Sequence, residues 1–246
     1  MTGLVSAGPY WSSVVLAVAG CALLCAAARR RPGRWRVAAA RLIGSALLAD
    51  AVVYSIGLAV AGTWSASSSL PLALCNIGVL VAALACWWQA PLLVELTYFW
   101  GLAGTLQGVI TPDLGSGFPH LVFFEYVVGH LGILVAALFL VVGLHLVPRP
   151  GAIGRVFAIT AFYTAFVGAV DWLTGANYMF LRSPPSEWTL LRLLGPWPWY
   201  VLSATGVALV LLVILDLPFW PGRRQGKRVS PAGRGHPRQR RPAAAG

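Results

Sequence analysis

Residues 121–147 read LVFFEYVVGHLGILVAALFLVVGLHLV, with Glu125 as the lone charged side chain and Pro148 and Arg149 directly behind. A helix needs about 20 mainly apolar residues to cross the hydrocarbon core of a bilayer. This run is long enough to do so with tilt. Six more runs of the same kind lie at about 10–28, 42–62, 70–88, 91–110, 154–175 and 198–220. Tyr10, Trp11, Trp64, Trp87, Trp88, Trp197, Trp199, Tyr200 and Trp220 fall near their ends, where amphipathic rings collect at the membrane interface.

Composition agrees with the runs. The chain has 246 residues, of which 58% are hydrophobic and 10% charged, with a mean hydropathy of +0.76. A soluble domain carries about 25% charged residues, so a soluble globule is excluded. The net charge of +11 does not indicate nucleic acid, because most basic residues flank the apolar runs. The expected fold is all-α, a polytopic bundle of seven transmembrane helices over residues 1–220, placed in the cell membrane.

Charge placement orients the bundle. Six arginines lie between the first two runs (Arg29, Arg30, Arg31, Arg34, Arg36, Arg41), and Arg149 and Arg155 lie between the fifth and sixth. Eight more basic residues follow the seventh run, and only Arg182 and Arg192 fall on the other side. Cytoplasmic loops carry the Lys and Arg excess, which sets the N-terminus outside and the C-terminus inside. The first run has its basic cluster behind it and none before it, so it reads as an anchor and not a signal peptide. Residues 221–246 are rich in Pro, Gly and Arg and read as a disordered, basic cytoplasmic tail. Such a tail either attracts anionic headgroups, at about 1 kcal/mol per basic residue, or only secures topology.

Polar residues inside the runs are the candidate sites, because such groups are rare in hydrocarbon and usually face the bundle interior. Asp50, Glu95, His145 and Asp216 map toward the inner side. Cys75, Asn76, Gln107, Asp113, Glu125, His130, Asp171, Asn177 and Tyr178 gather toward the outer side. Cys75 and His130 offer nucleophile and base: an imidazole takes the thiol proton, and the thiolate attacks an ester carbonyl. Counted from the outer ends of their runs, they lie roughly 8 and 14 Å deep at 1.5 Å per residue.

Structural readings stand beside these. Cys75, Gly78, Ala82 and Ala85 form a small-residue face that lets helices approach, and a buried histidine often serves packing. Asp113 sits in Thr111–Pro112–Asp113, a turn signature. The histidines lack metal-ligand spacing, so no metal or other cofactor is expected. Retinal needs a lysine in a span, and the sole lysine is Lys227 in the tail.

Several motifs are then familiar: PLALCN at 71–76, FWGLAGTLQGVITPDL at 99–114, FPHLVFFEYVVGH at 118–130, NYMFL at 177–181 and GPWPWY at 195–200. Together they resemble the YwaF-like bacterial integral membrane family and its animal relative, the transmembrane protein 164 acyltransferase family. The resemblance implies seven spans and a phospholipid acyltransferase that carries acyl groups on a cysteine, with a histidine as base, to a lyso ether phospholipid. Cys75 and His130 match those two positions. The bacterial pattern often has a histidine two residues before the cysteine, where this chain has Ala73.

The leading expectation is therefore a lipid acyltransferase or acyl-ester hydrolase with a thioester on Cys75. Asp113 or Glu125 would orient His130, and Asn76, Gln107, Asn177 or Tyr178 would donate to the oxyanion. Membrane lipids would be both substrate and solvent. The alternative is a transporter or a lipid- or small-molecule-binding protein with a polar outer pocket, helped by an inner polar route through Asp50, Glu95 and Asp216. A structural membrane subunit is the third reading. The oligomeric state is not legible in the sequence.

Overall fold

The computed structural model describes residues 2–112, 114, 117–184 and 190–221. Asp113 and the tail beyond Pro221 lie outside them. Among the described residues every regular element is helical: α1 (Thr2–Arg30), α2 (Trp35–Val60), α3 (Leu74–Trp88), α4 (Pro91–Phe99), α5 (Leu106–Ile110), α6 (Leu121–Leu138), α7 (Ala152–Thr174) and α8 (Trp199–Asp216), with short π and 3-10 turns between. Two π-helical turns matter. Trp100–Thr105 joins α4 to α5, and Phe139–Gly143 prolongs α6.

Among the described residues five helices are long and apolar enough to cross a membrane: Gly8–Arg30, Trp35–Val60, Leu121–Gly143, Ala152–Thr174 and Trp199–Phe219. Their outward faces are apolar, with Val15, Leu16, Leu42, Val52, Phe162 and Trp172 all exposed. Water would not tolerate such a surface at this extent, whereas lipid is matched to it. The protein is an integral membrane protein.

The element ends depart from the apolar runs in three informative places. α2 starts at Trp35, earlier than the run at 42–62, because Arg41 lies over the Trp87 ring at 5.5 Å and is thereby accommodated on the helix. Asp50 consequently sits past the middle of α2, away from the basic end, and not in the inner set. α3 starts at Leu74 after an extended Ala73, so Cys75 is its second residue; the chain around Pro71 cannot extend the helix backward. α3 is 15 residues, about 22 Å long. α6 and its π turn stop at Gly143, since the chain turns through a left-handed His145 (φ 58°).

Contacts sort the ends of the helices into two layers. At the basic end, Arg29 Nε donates to Val142 O at 3.0 Å and Tyr98 Oη to Leu215 O at 3.1 Å. There Glu95, 1% exposed, receives both Arg149 and Arg155. Its Oε1 accepts from Arg149 Nε at 2.9 Å and Arg155 Nη2 at 2.8 Å, and its Oε2 from Arg149 Nη2 at 3.2 Å and Arg155 Nε at 3.0 Å. At the opposite end, Tyr10 Oη donates to Val109 O at 2.8 Å and Tyr163 Oη to Leu72 O at 2.9 Å.

α6 forms the axis, with Ile133, Ala136, Phe139 and Leu140 buried. Its glycines set close approaches. A Cβ on Gly132 would lie 2.6 Å from Leu47 Cδ2, and one on Gly129 would lie 3.4 Å from Val79 Cγ2 and 3.8 Å from Asp50 Oδ2. A Cβ on Gly57 would lie 2.6 Å from Leu121 Cδ2. These pairs give an antiparallel α2/α6 register, Leu47 with Gly132, Asp50 with Gly129, Gly57 with Leu121, while α3 meets α6 through Val79 with Gly129 and Gly78 with Ile133.

Candidate functional site

α3 begins beside the π turn of residues 100–105. Leu74 Cδ2 lies 3.1 Å from where a Cβ on Gly104 would be, and the Cys75 thiol lies within hydrogen-bonding reach of the Thr105 side chain. Thr97, Thr160, Thr174 and Thr205 each turn the hydroxyl back onto the carbonyl four residues earlier. Thr105 ends a π turn, whose wider winding displaces that carbonyl, and is buried next to the thiol. Cys75 is half-buried, whereas Cys21, Cys25 and Cys86 are buried.

On the neighbouring face of α6, His130 stacks on Tyr126 with ring centroids 4.0 Å apart. Its Nδ1 lies 2.9 Å from Tyr126 O. A carbonyl only accepts, so Nδ1 carries the hydrogen and the neutral ring presents Nε2 as acceptor. Tyr126 Oη donates to Gly108 O at 2.7 Å. A Cβ on Gly108 would stand 2.9 Å from His130 Cδ2 and 3.1 Å from Nε2. The absence of a side chain at Gly108 is what admits the imidazole edge.

The α2/α6 register places Glu125 level with Tyr54, one turn before Asp50 and Gly129. Glu125 is within electrostatic reach of Cys75, Tyr54 and Asp50. His130 is five residues further along α6 than Glu125, about 7 Å by helix rise. Cys75 meets Thr105, and the His130 ring meets Gly108, three residues nearer the outer end of the same segment, so the imidazole is not deeper than the thiol. Asn76 is half-buried beside Cys75, and Gln107 half-buried before Gly108.

Asn177 and Tyr178 lie elsewhere, in a loop knot. Asn177 Nδ2 donates to Ser183 O at 2.9 Å and its Oδ1 accepts from Arg182 N at 2.9 Å. Tyr178 Oη donates to Ala66 O at 3.0 Å and accepts from Leu70 N at 2.9 Å, while its N donates to Asp171 Oδ1 at 2.9 Å. Their polar groups close the loops of the opposite end. Asp113 lies outside the described residues. Among the described residues no three His, Cys, Asp or Glu side chains gather to hold a metal ion.

Sequence reading missed Thr105 and the membership of Asp50 and Tyr54. Tyr126 carries a signal in its spacing, four residues before His130. Thr105 carries none, since a π turn has no sequence mark here. The inner route through Asp50, Glu95 and Asp216 is not assembled: Asp50 faces Gly129, Glu95 is held by two arginines, and Asp216 Oδ2 accepts from Trp220 Nε1 at 2.9 Å.

The family model for the TMEM164 family matches residues 5–216, which takes in nearly all of α1 through the last turn of α8, with Cys75, Thr105 and His130. The chain belongs to the TMEM164 family. No curated protein and no solved structure matches it. The matched span stops at Asp216, so the basic tail is no part of what this TMEM164-family chain has in common with the family model.

Proposed function

We propose that this TMEM164-family chain is a membrane acyltransferase or acyl-ester hydrolase that works through a thioester on Cys75. It crosses the bacterial plasma membrane seven times, with the N-terminus outside, the C-terminus inside and the site near the outer leaflet. α3 and the consecutive turns of residues 91–110 are the two spans beyond the five long helices. The alternation of helix ends between a basic layer and an opposite layer supports that count.

The observation that carries the reading is Cys75 itself. Of four cysteines it is the one not buried, and it opens a helix against a buried hydroxyl, Thr105, in the family-matched part of the chain. His130, with Nδ1 committed to Tyr126 O, keeps Nε2 for proton transfer. A thiolate from Cys75 attacks the acyl carbonyl of a membrane phospholipid, the S–C bond forms and the ester C–O bond breaks. A lysolipid hydroxyl, or water, then takes the acyl group from sulfur. His130 acts as base and returns the proton as acid. Asn76 and Gln107 are the oxyanion donors this reading retains. The basic tail holds anionic headgroups on the inner face.

Intact-protein mass spectrometry tests it. Wild-type protein incubated with native phospholipid should gain an acyl-sized, hydroxylamine-labile adduct that Cys75→Ala lacks. Absence of an adduct in wild type and in His130→Ala would leave a non-catalytic lipid-binding or transport protein as the better reading.

A further inference from the structure

Cys75 is the second residue of α3. The first turn of a helix is the part least held by the helix itself, because its N–H groups find no partner within it. Ala73 precedes that turn in an extended conformation and gives it no side-chain cap. The position of the thiol therefore depends on what holds the chain on either side of Ala73. On one side, Leu74 packs on the main core and against Gly104. On the other, residues 65–72 form no helix, and Pro71 has no N–H to contribute to one.

Two tyrosine hydroxyls from the α7 side hold that segment. Tyr178 Oη bridges it, donating to Ala66 O at 3.0 Å and accepting from Leu70 N at 2.9 Å. Tyr163 Oη, from within α7, donates to Leu72 O at 2.9 Å. Leu70 and Leu72 pack on a small core of Val167, Ala176 and Tyr178, separate from the main one. Tyr178 is itself fixed, because the buried Asp171 of α7 accepts from Tyr178 N at 2.9 Å through Oδ1. Hydrogen bonds thus run from α7, through Tyr178, to the residues directly before Cys75.

Building on the thioester reading above, we infer that Tyr178 and Tyr163 are positioning residues for Cys75, clamping the segment before α3 onto α7. The clamp holds residues 66–72 on one core, while Gly104 receives Leu74 on the other. The thiol is placed between the two. Neither hydroxyl takes or gives a proton in the reaction. Losing one lets the first turn of α3 shift and carries the sulfur away from the line of attack on the acyl carbonyl. A displacement of about 1 Å can cost on the order of 100-fold in rate, and the loss of one hydroxyl, with the other still in place, costs less.

Single-turnover mass spectrometry on purified full-length protein, with phosphatidylcholine vesicles as donor, separates position from folding. The final amplitude of the acyl adduct counts competent molecules, and its rate constant reports the geometry within them. Tyr178→Phe keeps the buried ring and loses the bridge. Its rate constant should fall about 10-fold, with an amplitude close to wild type. Tyr163→Phe should fall in the same way, and the double variant by less than the product of the two, since both hold one segment. Tyr98→Phe removes a buried tyrosine-to-carbonyl bond at the basic end and should keep the wild-type rate constant. A lowered amplitude at the wild-type rate constant in Tyr178→Phe and Tyr163→Phe means that the tyrosines serve folding alone, and overturns the inference. Wild-type behaviour of both variants overturns it too, as does an equal slowing in Tyr98→Phe. The thioester reading stands in each of those cases. No adduct in wild type or in His130→Ala overturns both. Should Tyr178→Phe fail to yield folded protein, Tyr163→Phe carries the test by the same two quantities.

Discussion

Gly108 shows how a residue without a side chain decides what its neighbour does. The His130 ring edge occupies the space a Cβ would take, 2.9 Å from Cδ2 and 3.1 Å from Nε2. The ring cannot yield easily, being stacked on Tyr126 and bonded to Tyr126 O. Gly108→Ala should therefore displace the imidazole. Misplacement of a catalytic group by about 1 Å can cost on the order of 100-fold. Turnover of a fluorescent phospholipid should fall between about 10- and 100-fold in this variant, with a nearly unchanged melting temperature in detergent. An unchanged rate would remove His130 from the machinery. At the same scale Cys75→Ala should abolish the hydroxylamine-labile adduct. The motifs around Cys75 and His130 were legible in sequence because thiol and imidazole are rare in apolar runs. The Thr105 contact was not, because it depends on a π turn that only helix packing reveals.

Between elements, glycine positions set the spacing of α2, α3 and α6. Gly44 of α2 meets rigid neighbours: a Cβ there would lie 2.8 Å from Ala83 O and 2.8 Å from Cys86 Cβ. One of those atoms is backbone, so no rotamer change can relieve the contact. Gly44→Val should push α2 off α3 and destabilise the protein by about 1–3 kcal/mol, the usual cost of overpacking. A thermal melt in detergent reads this directly, and a melting temperature within a degree of wild type would mean that the seam yields. Gly132, which meets the flexible end of Leu47, should tolerate Ala better. Small residues on helix faces were readable as packing positions. Their partners were not, because the sequence does not say which helix lies opposite.

Across the whole molecule, Glu95 joins α4 to the loop before α7 and to the first turns of α7 itself. It is 1% exposed and shared by two arginines whose side chains are 48% and 36% exposed. Glu95→Gln leaves a buried amide facing two cations and removes charge-assisted hydrogen bonds worth roughly 1.5–3 kcal/mol each at most. The arginines can rehydrate, so a total loss of about 2–3 kcal/mol is expected. Thermal unfolding should show it, with little change in the acylation rate of Cys75, which lies at the opposite end. A loss of acylation with unchanged stability would instead connect the basic end to the site.

Membrane residence, helical class and the common layer of Arg29 with Arg149 and Arg155 followed from the sequence alone. Hydrocarbon requires long apolar runs with internally satisfied backbones, and arginine is confined to their ends. Tertiary structure alone decided that Asp50 faces α6 and not the inner end, that Glu95 is an anchor, and that Thr105 stands beside Cys75. Those relations depend on rotation and register between helices. A shift of one residue turns a side chain by about 100° around its helix with almost no change in hydropathy, so a linear pattern of apolar residues carries no record of them.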